Sequence, residues 1–399
     1  MKQFIVDNKK TYTYQQLLLD IQYRKSYYKY PSVKNLYEFY CNLIFAIIHN
    51  RTIVFDDTIH ENDERYQPIY IDHQYTISSV REIISAIKNS SSELILYTSG
   101  TTGRPKEIKH SISNLIRSVK EGNVYSKNVW ALAYHPSHMA GLLVFFQAFL
   151  NTCTITNLFN RSRKEIMESI EQYSITNISA TPTFYRLLLP FEKEFGNVSR
   201  ITFGGEKSGK KLHDSIKKIF PNAKVNNIYA STEAGFLFKT SKDHFQITDD
   251  LKNLVRIDNG ELLVHKSLLG VSETLETGNS SFYRTGDLVE IIDASKGFFK
   301  FKSRKNEMVN VGGYKINPNT IENVIQTIPE VKNTIVYGRS NSVLGNVLCC
   351  DIEFFENTTL EKTIIRKHLS SRLQNFEVPR KINFVEHIEL TKTGKTKRK

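Results

Sequence analysis

The residues best suited to bind phosphate lie together in the stretch 97–106, directly after the apolar residues 94–96. This stretch holds two glycines, a run of serine and threonine, and Lys106. Glycine lets backbone N–H groups approach an anion, and hydroxyl and ammonium groups donate hydrogen bonds to polyphosphate oxygens. The pattern predicts a strand that leads into a phosphate-binding loop, although a polar hairpin turn fits the same residues. The spacing is not that of a Walker loop, which disfavours an ordinary P-loop NTPase.

Three further stretches carry side chains that suit a nucleotide. Residues 227–233 place an aromatic ring, hydroxyl groups and the Glu233 carboxylate after a predicted strand. The ring could stack on a base, and the carboxylate could bind Mg²⁺ that bridges phosphates. Asp287 follows a glycine and could accept both ribose hydroxyls, and Lys395 lies in a basic C-terminal segment. Each of these residues also has an ordinary structural explanation. The aromatic ring could belong to the core and Glu233 could be a helix N-terminal acid. Asp287 could be a turn residue, and Lys395 could belong to a basic tail.

The elements that must position these residues alternate between helix and strand. Helical spacing over 36–48 and 79–87, with short strands such as 200–203 and 225–229, predicts an α/β fold with largely parallel sheets. From about residue 249, short strands and tight turns predict a small β-rich subdomain. The elements beyond residue 304 suffice for a small α+β domain. We therefore expect a domain at 1–303 and a second at 304–399, joined by a hinge.

Composition narrows the class of protein. The 399 residues, 40% hydrophobic and 24% charged, predict a soluble globular protein of two or three domains. The net charge of +13 permits an anionic partner, but it equally fits a lysine-rich proteome, and we expect no nucleic-acid binding from charge alone. Four cysteines without metal-type spacing predict reduced thiols. The absence of a signal-like or membrane-spanning apolar run predicts a cytoplasmic protein without membrane insertion.

Taken in order, these stretches closely resemble the ANL superfamily of adenylate-forming enzymes, which includes acyl- and aryl-CoA synthetases, peptide-synthetase adenylation domains and luciferases. Residues 97–106 resemble its phosphate loop, with Glu107 where a glycine is common. Residues 229–233 resemble its Y-G-x-T-E motif, with Ala230 in the glycine position, and residues 283–288 match Y-R-T-G-D-L in full. The segments 204–206, 303–306, 308–315 and 391–395 resemble its adenine-flanking, hinge, post-hinge and catalytic-lysine motifs.

This resemblance implies two half-reactions and a C-terminal domain that rotates between them. A small-molecule carboxylic acid attacks the α-phosphate of ATP, in the presence of Mg²⁺, to give an acyl-adenylate and pyrophosphate. A thiol then attacks the adenylate. The implied thiol is that of CoA, with the phosphopantetheine of an acyl carrier protein as the alternative. A non-catalytic protein with this fold is disfavoured, because Lys106, Glu233, Asp287, Arg304 and Lys395 are all retained.

The resemblance also implies site residues. Lys395 would bridge the acid and the α-phosphate, Glu233 would hold Mg²⁺, Lys106 would bind the outer phosphates, and His138 would gate the acid pocket. The thiol tunnel would pass Gly312 and Gly313. The implied nucleotide-binding residues are Thr98, Ser99, Gly100, Thr101, Thr102, Gly103, Gly204, Gly205, Glu206, Tyr229, Ala230, Ser231, Thr232, Asp287 and Arg304.

The acid-pocket region and three departures from the family pattern bear on the substrate and on the thioester step. The region 134–142 lacks the aspartate that usually holds an α-amine, which disfavours a free amino acid. The chain before the phosphate loop is short, so the N-terminal subdomain is trimmed; this could open the acyl pocket or create a partner surface. Asn306 and Asn310 replace the usual hinge and post-hinge residues, and these changes affect the thioester step and not adenylation.

Overall fold

The computed structural model describes residues 1–56, 58–59, 61–72, 76–98, 106–206, 208–273, 275, 280–311, 314–341, 345–391 and 396–397. Helices and strands alternate over the first 240 residues. The helices are α1 (Tyr14–Tyr23), α2 (Leu36–Ile48), α3 (Val80–Lys88), α4 (Ile112–Ile116), α5 (Met139–Phe149), α6 (Arg163–Gln172), α7 (Pro182–Arg186) and α8 (Lys210–Ile219). The strands are β1 (Gln3–Asp7), β2 (Lys10–Thr13), β3 (Ser26–Tyr28), β4 (Ile53–Phe55), β5 (Pro68–Tyr70), β6 (Glu93–Thr98), β7 (Lys106–Ser111), β8 (Val129–Leu132), β9 (Thr154–Asn157), β10 (Asn177–Ala180), β11 (Arg200–Phe203), β12 (Lys224–Ser231) and β13 (Gly235–Thr240).

The largest sheet has the strand order β13-β12-β11-β10-β8-β9-β1-β2. Its inner strands run parallel, and β13 and β2 pair antiparallel at the two edges. Ile178 and Ile201 lie in one hydrophobic core with Ile166 of α6 and Ile216 of α8, so these helices cover one face of the sheet. The predicted α/β fold with a largely parallel sheet is confirmed. Ligands of such sheets bind beyond the carboxyl ends of the parallel strands, which directs attention to the ends of β11 and β12.

The predicted phosphate-binding loop connects two strands of a smaller sheet, ordered β4-β6-β7. Thr98, at the end of β6, pairs antiparallel with Lys106, at the start of β7. The two strands on either side of the predicted loop therefore form an antiparallel hairpin. The intervening residues Ser99, Gly100, Thr101, Thr102 and Gly103 lie outside the described residues.

The region after residue 244 is β-rich, as predicted. Its five-stranded sheet is ordered β14-β18-β17-β16-β15 and consists of β14 (Phe245–Gln246), β15 (Val255–Asp258), β16 (Glu261–His265), β17 (Phe282–Asp293) and β18 (Phe298–Arg304). Asn259 and Gly260 both have positive φ and form the two-residue turn between β15 and β16. The interpretation of Asp287 as a turn residue is wrong, because Asp287 lies inside β17 and is 5% exposed.

Gly286 explains this difference. Its φ of +74° lies in a region that favours glycine, and the register between β16 and β17 is irregular at this point. A Cβ on Gly286 would meet nothing within 4 Å, so the backbone conformation, and not a lack of space, requires glycine. The resulting bulge interrupts the alternation of side chains along β17.

The C-terminal part has a hydrophobic core of its own, built from residues such as Ile321, Val336, Ile352 and Ile365. Its elements are β19 (Val309–Val311), β20 (Tyr314–Ile316), α9 (Pro318–Ile325), β21 (Val331–Asn341), β22 (Gly345–Phe354), α10 (Lys362–Ser370) and β23 (Lys381–Phe384). Strand β22 pairs antiparallel with β21 and parallel with β23. The predicted boundary at residue 304 stays a prediction. Among the helices of the described part, none combines the length and the apolar character needed to cross a bilayer.

Candidate active site

A cavity of about 1250 Å³ opens at the carboxyl ends of β10, β11 and β12. Most of the described residues that the sequence predicts to bind nucleotide or acid line this cavity. Those that line it are His138, Gly204, Gly205, Glu206, Tyr229, Ala230, Ser231, Thr232, Glu233, Asp287 and Arg304. Thr396, the residue after Lys395, lines the same cavity. The cavity therefore brings together segments that are up to about 260 positions apart in the chain.

Tyr229, Asp287 and Arg304 contact one another in this cavity. The Tyr229 hydroxyl donates a hydrogen bond of 2.5 Å to Asp287 Oδ2, and Arg304 Nε lies 2.9 Å from Asp287 Oδ1. The Tyr229 ring stacks on Phe301, with 4.3 Å between ring centroids. Burial, and then the Asp287 charge, hold the pKa of Tyr229 well above its ordinary value, so its hydroxyl stays a donor. Tyr229 thus orients the carboxylate as well as presenting a ring.

Asp287 keeps acceptor capacity for a ligand. A carboxylate offers about four lone-pair positions, and two of them are used here by Tyr229 and Arg304. Two positions therefore remain for hydroxyl donors such as those of a ribose. The Arg304 side chain is 51% exposed while that of Asp287 is 7% exposed, so the arginine also reaches the open cavity.

Glu206 has a role that the sequence did not predict. Its Oε2 accepts hydrogen bonds from the Thr183 backbone N–H at 3.2 Å and the Thr183 hydroxyl at 2.7 Å. Its Oε1 accepts a 2.7 Å bond from the backbone N–H of Thr396. Glu206 therefore fixes the C-terminal segment at the cavity immediately beside Lys395. Lys395 itself lies outside the described residues.

Glu233 lies in the turn between β12 and β13, so its alternative interpretation as a helix N-terminal acid is wrong. In the described part of the chain, its carboxylate has no hydrogen-bond or ion-pair partner, and no group of three or more metal-binding side chains occurs. A lone carboxylate suits Mg²⁺, which is commonly held by one or two carboxylates together with substrate phosphates and water. The donor set at Glu233 therefore fits Mg²⁺ bound jointly with a polyphosphate.

The backbone around Glu233 is held at three consecutive carbonyl groups. His110 Nε2 lies 2.7 Å from the Thr232 oxygen, and the Gly270 N–H donates to the Glu233 oxygen at 2.8 Å. Arg117 donates through Nη2 to the Ala234 oxygen, and further bonds reach Phe236 at 2.9 Å and Leu268 at 2.8 Å. We call His110, Arg117 and Gly270 the clamp. It holds the Glu233 turn against β7 and α4, the elements that follow the predicted phosphate-binding loop.

The protonation of His110 follows from its neighbours. Arg117 donates to Asn114 Oδ1, which directs Asn114 Nδ2 to donate to His110 Nδ1 at 3.0 Å. His110 Nδ1 is therefore an acceptor, and Nε2 carries the proton that is donated to Thr232. Burial lowers the pKa of His110, which keeps the ring neutral. Sequence reasoning missed this residue, although the alternation of buried side chains along β7, Ile108 and then His110, points it inward.

Three further predictions concern His138, Lys106 and the glycines of the thiol tunnel. His138 is the N-cap of α5 and lies on the cavity wall, with its ring 4.7 Å from that of His135. Lys106 is half-buried at the start of β7 and does not line the cavity formed by the described residues. Gly312 and Gly313, predicted for a thiol tunnel, lie outside the described residues.

Two family models match this chain. Residues 47–257 match the AMP-binding enzyme family, and residues 320–395 match the AMP-binding enzyme C-terminal domain. A 2-succinylbenzoate–CoA ligase from Staphylococcus epidermidis is 26% identical over 335 residues, covering 76% of this chain and 68% of that one. A ligase of the same name from Staphylococcus aureus is 25% identical over 360 residues, covering 82% of this chain and 72% of that one.

Solved structures share the fold. The o-succinylbenzoate CoA synthetase of Bacillus subtilis, in complex with its acyl-adenylate intermediate, aligns with a TM-score of 0.68 at 16% identity, covering 99% of this chain and 94% of that chain. ATP-bound MatB from Rhodopseudomonas palustris aligns with a TM-score of 0.68 at 18% identity, with the same coverage. The protein belongs to the AMP-binding enzyme family and is an AMP-forming acid–thiol ligase that uses ATP and Mg²⁺.

Proposed function

We propose that the protein activates a small-molecule carboxylic acid with ATP and transfers the acyl group to CoA. The acid attacks the α-phosphate of ATP, the bond to pyrophosphate breaks, and the CoA thiol then displaces AMP from the acyl-adenylate. Relatives named 2-succinylbenzoate–CoA ligases support CoA as the acceptor and make 2-succinylbenzoate the first acid to test. The four cysteines Cys41, Cys153, Cys349 and Cys350 are buried and form no disulfide in the described structure, which supports a cytoplasmic location.

This proposal rests on two sets of contacts that lie in the same cavity. The contacts among Tyr229, Asp287 and Arg304 lie at one part of it, and the Glu206–Thr396 bond fixes the segment after Lys395 at another. Adenylation needs both a nucleotide site and a cation between the acid and the α-phosphate, because negative charge develops there in the transition state. A lysine on a segment that can leave also suits a site that must admit a thiol afterwards.

Each residue then has a defined task. Asp287, oriented by Tyr229 and Arg304, accepts the ribose hydroxyls, while Gly204, Gly205 and Glu206 lie beside the adenine. Residues 98–103 and Lys106 donate hydrogen bonds to the β- and γ-phosphates. Ala230, Ser231 and Thr232 form the cavity wall that leads to Glu233. Glu233 holds Mg²⁺, which neutralises phosphate charge when bound. His138 guards the acid pocket, and Gly312 and Gly313 line the path of the thiol.

The test is ATP–pyrophosphate exchange across a panel of carboxylic acids, followed by thiol capture with CoA or with a phosphopantetheine carrier protein. We expect acid-dependent exchange and a thioester with CoA. Capture by the carrier protein alone would replace CoA as the acceptor. No exchange with any acid would support a non-catalytic AMP-binding protein instead.

The role of Lys395 has its own test. We expect Lys395→Ala to abolish adenylate formation but to spare thioester formation from supplied acyl-adenylate, because the second step does not use the α-phosphate cation. Lys397→Ala is the matched control, since Lys397 lies two residues on and pairs with Glu389 at 3.0 Å. Equal adenylation by the Lys395 variant and the wild type would remove this lysine from the mechanism.

A further inference from the structure

A buried carboxylate lies behind Asp287, outside the cavity. Glu261 begins β16, is 4% exposed, and is not among the described residues that line the cavity. Its Oε2 accepts a hydrogen bond from Arg284 Nη1 at 2.7 Å, and its Oε1 accepts one from the backbone N–H of Gly286 at 3.0 Å. A buried carboxylate costs free energy unless it is both paired and hydrogen-bonded, and Glu261 meets both conditions. Adenylation as proposed above does not use this residue.

The Gly286 N–H belongs to the bulge of β17. Glu261 pairs with Leu288, and Leu263 pairs with Arg284, so three residues of β17 lie opposite one residue of β16. At a bulge the regular ladder of backbone hydrogen bonds is interrupted, and the backbone groups freed there need other partners. The Glu261 side chain is the partner for the N–H of the residue directly before Asp287.

Other groups of the bulge are held from the same strand or the turn before it. The Thr285 hydroxyl donates to the Leu262 carbonyl oxygen at 2.8 Å and accepts from the Asp287 backbone N–H at 3.1 Å. The Val289 N–H donates to the Gly260 carbonyl oxygen at 2.7 Å. Hydrogen bonds therefore hold the backbone on both sides of Asp287.

We infer that Glu261 is a positioning residue for ATP. Through the Gly286 N–H it fixes the backbone of the bulge, and with it the direction in which Asp287 presents its carboxylate to the ribose hydroxyls. Hydrogen bonds weaken steeply when their angle departs from the preferred range, so a small rotation of the chain at Gly286 would reduce these bonds. This inference rests on the proposed function, because it takes Asp287 as the residue that accepts the ribose hydroxyls.

Two substitutions of Glu261 separate its two contacts. Glu261→Gln keeps an oxygen for the Gly286 N–H but loses the charge that pairs with Arg284. The Arg284 side chain is 52% exposed and also pairs with Asp258, so it can turn away from the new amide group, whereas the backbone N–H cannot. Glu261→Leu loses the charge as well and offers no acceptor to either group. The difference between the two variants therefore isolates the bond to Gly286.

Glu353 provides the matched control in the C-terminal part. It lies on β22, is 6% exposed, pairs with Lys332 at 2.7 Å and accepts a hydrogen bond from the Ile388 N–H at 3.1 Å. Glu353→Leu thus removes the same kinds of contact at a residue outside the described lining of the cavity. We expect both leucine variants to unfold at a lower temperature, because each leaves a backbone N–H without its acceptor.

Binding is measured by isothermal titration calorimetry with ATP and with 2′,3′-dideoxyATP, in the presence of Mg²⁺ and without acid. We expect the wild type to bind ATP about 10- to 100-fold more tightly, because only ATP offers hydroxyl donors to the carboxylate. In Glu261→Leu, ATP should lose most of this advantage, while the affinity for the dideoxy analogue should change by less than about 2-fold. Glu261→Gln and Glu353→Leu should discriminate as the wild type does. In pyrophosphate exchange, Glu261→Leu should raise the KM for ATP and leave kcat little changed.

Three results would overturn the inference. Equal binding of both nucleotides by the wild type would show that no ribose hydroxyl is recognised. An equal loss of affinity for both nucleotides in Glu261→Leu would leave Glu261 with a role in stability alone. Full discrimination in Glu261→Leu, or its loss in Glu261→Gln as well, would remove the Gly286 bond from ATP recognition.

A second variant covers the case in which Glu261→Leu does not fold. The double variant Glu261→Leu/Arg284→Met also lacks the acceptor, and it removes both charges of the pair. Calorimetry needs no acid, so it tests the inference separately from the proposed function. Ribose discrimination that is lost in Glu261→Leu, together with no exchange for any acid, would contradict the proposed function and leave this inference standing.

Discussion

At the residue scale, the hydroxyl of Tyr229 is as important as its ring. The ring already stacks on Phe301, and the hydroxyl is committed to Asp287. Arg304 approaches the other oxygen of the same carboxylate. The position of Asp287 is therefore set before any nucleotide binds, which lowers the cost of ordering it on binding.

Tyr229→Phe tests this arrangement because it removes the hydroxyl and keeps the ring. We expect the KM for ATP to rise about 10-fold with little change in kcat, since a hydrogen bond to a charged group contributes about 1.5 kcal/mol or more. The measurement is pyrophosphate exchange at varied ATP concentration.

Tyr40→Phe is the matched control. Tyr40 is fully buried in α2, and its hydroxyl has no partner in the described structure. Loss of that hydroxyl should raise stability by about 1 kcal/mol and leave the KM for ATP unchanged. An unchanged KM in Tyr229→Phe, or a similar rise in Tyr40→Phe, would contradict the assigned role of Tyr229.

Asp287 and Glu233, which the sequence predicts as site residues, both line the cavity, but sequence reasoning misjudged their local structure. Asp287 looked like a turn residue because a glycine precedes it, and the bulge at Gly286 exists only through pairing with β16 and β18. Such pairing depends on residues distant in the chain, which local propensity does not report. Glu206 was assigned beside adenine by resemblance, and its bond to Thr396 could not be inferred without the fold.

At the scale of the elements, the sequence pattern predicts a helix correctly where the residues of that segment alone determine its bounds. The spacing over 36–48 predicted α2 at its observed bounds, because nearly every residue there is apolar and Asn35 caps the helix. Helix α4 ends at Ile116, and the side chain of Arg117 extends to the Glu233 turn. The clamp joins elements that are more than 100 positions apart, so no local pattern indicates it.

The clamp predicts that His110 acts on Glu233 without touching the ligand. In His110→Leu, the Thr232 carbonyl loses its donor, so the Glu233 turn should loosen and the Mg²⁺ concentration for half-maximal exchange should rise about 5- to 10-fold. His110→Gln keeps an N–H donor and should retain most of the Mg²⁺ affinity. The measurement is exchange activity against Mg²⁺ concentration at saturating ATP. Equal Mg²⁺ dependence in both variants would leave His110 with a packing role only.

The wild type and His110→Gln should also differ in how their unfolding free energy depends on pH. Burial sets the pKa of His110 below its ordinary value of about 6.5, so the unfolded chain takes up a proton first as the pH falls. The wild type should therefore lose stability below about pH 6.5. His110→Gln has no such group, and its unfolding free energy should fall less steeply over the same interval. Thermal unfolding at pH 5 to 7.5 measures the difference, and identical slopes would contradict the buried neutral state.

At the scale of the whole molecule, several hydrogen bonds besides the Glu206–Thr396 bond join the described C-terminal residues to the rest of the chain. Lys211 Nζ on α8 donates to the carbonyl oxygens of Gln326 at 2.8 Å and Ile328 at 2.9 Å. Asn317 Nδ2 donates to the Lys302 oxygen at 3.1 Å. This arrangement holds the segment after Lys395 at the cavity, as adenylation requires. We expect the rotation that the resemblance implies for the thiol step to break the bonds made by Glu206 and Lys211.

Lys211→Gln should therefore affect the two half-reactions differently. Loss of the bonds to Gln326 and Ile328 weakens only the arrangement that has the lysine segment at the cavity, so the population shifts toward the alternative. A mutation changes the ratio of two arrangements only if it affects their free energies differently. Two hydrogen bonds from a charged donor correspond to a change of about 10-fold in that ratio. We expect adenylation to slow by a factor of up to about 10, while the rate of thioester formation from supplied acyl-adenylate stays the same or increases.

Lys218→Gln is the control, because Lys218 is exposed and lies on the same helix. An equal decrease in both steps would mean that Lys211 stabilises the protein in general, and the contact would then carry no information about which half-reaction this arrangement serves.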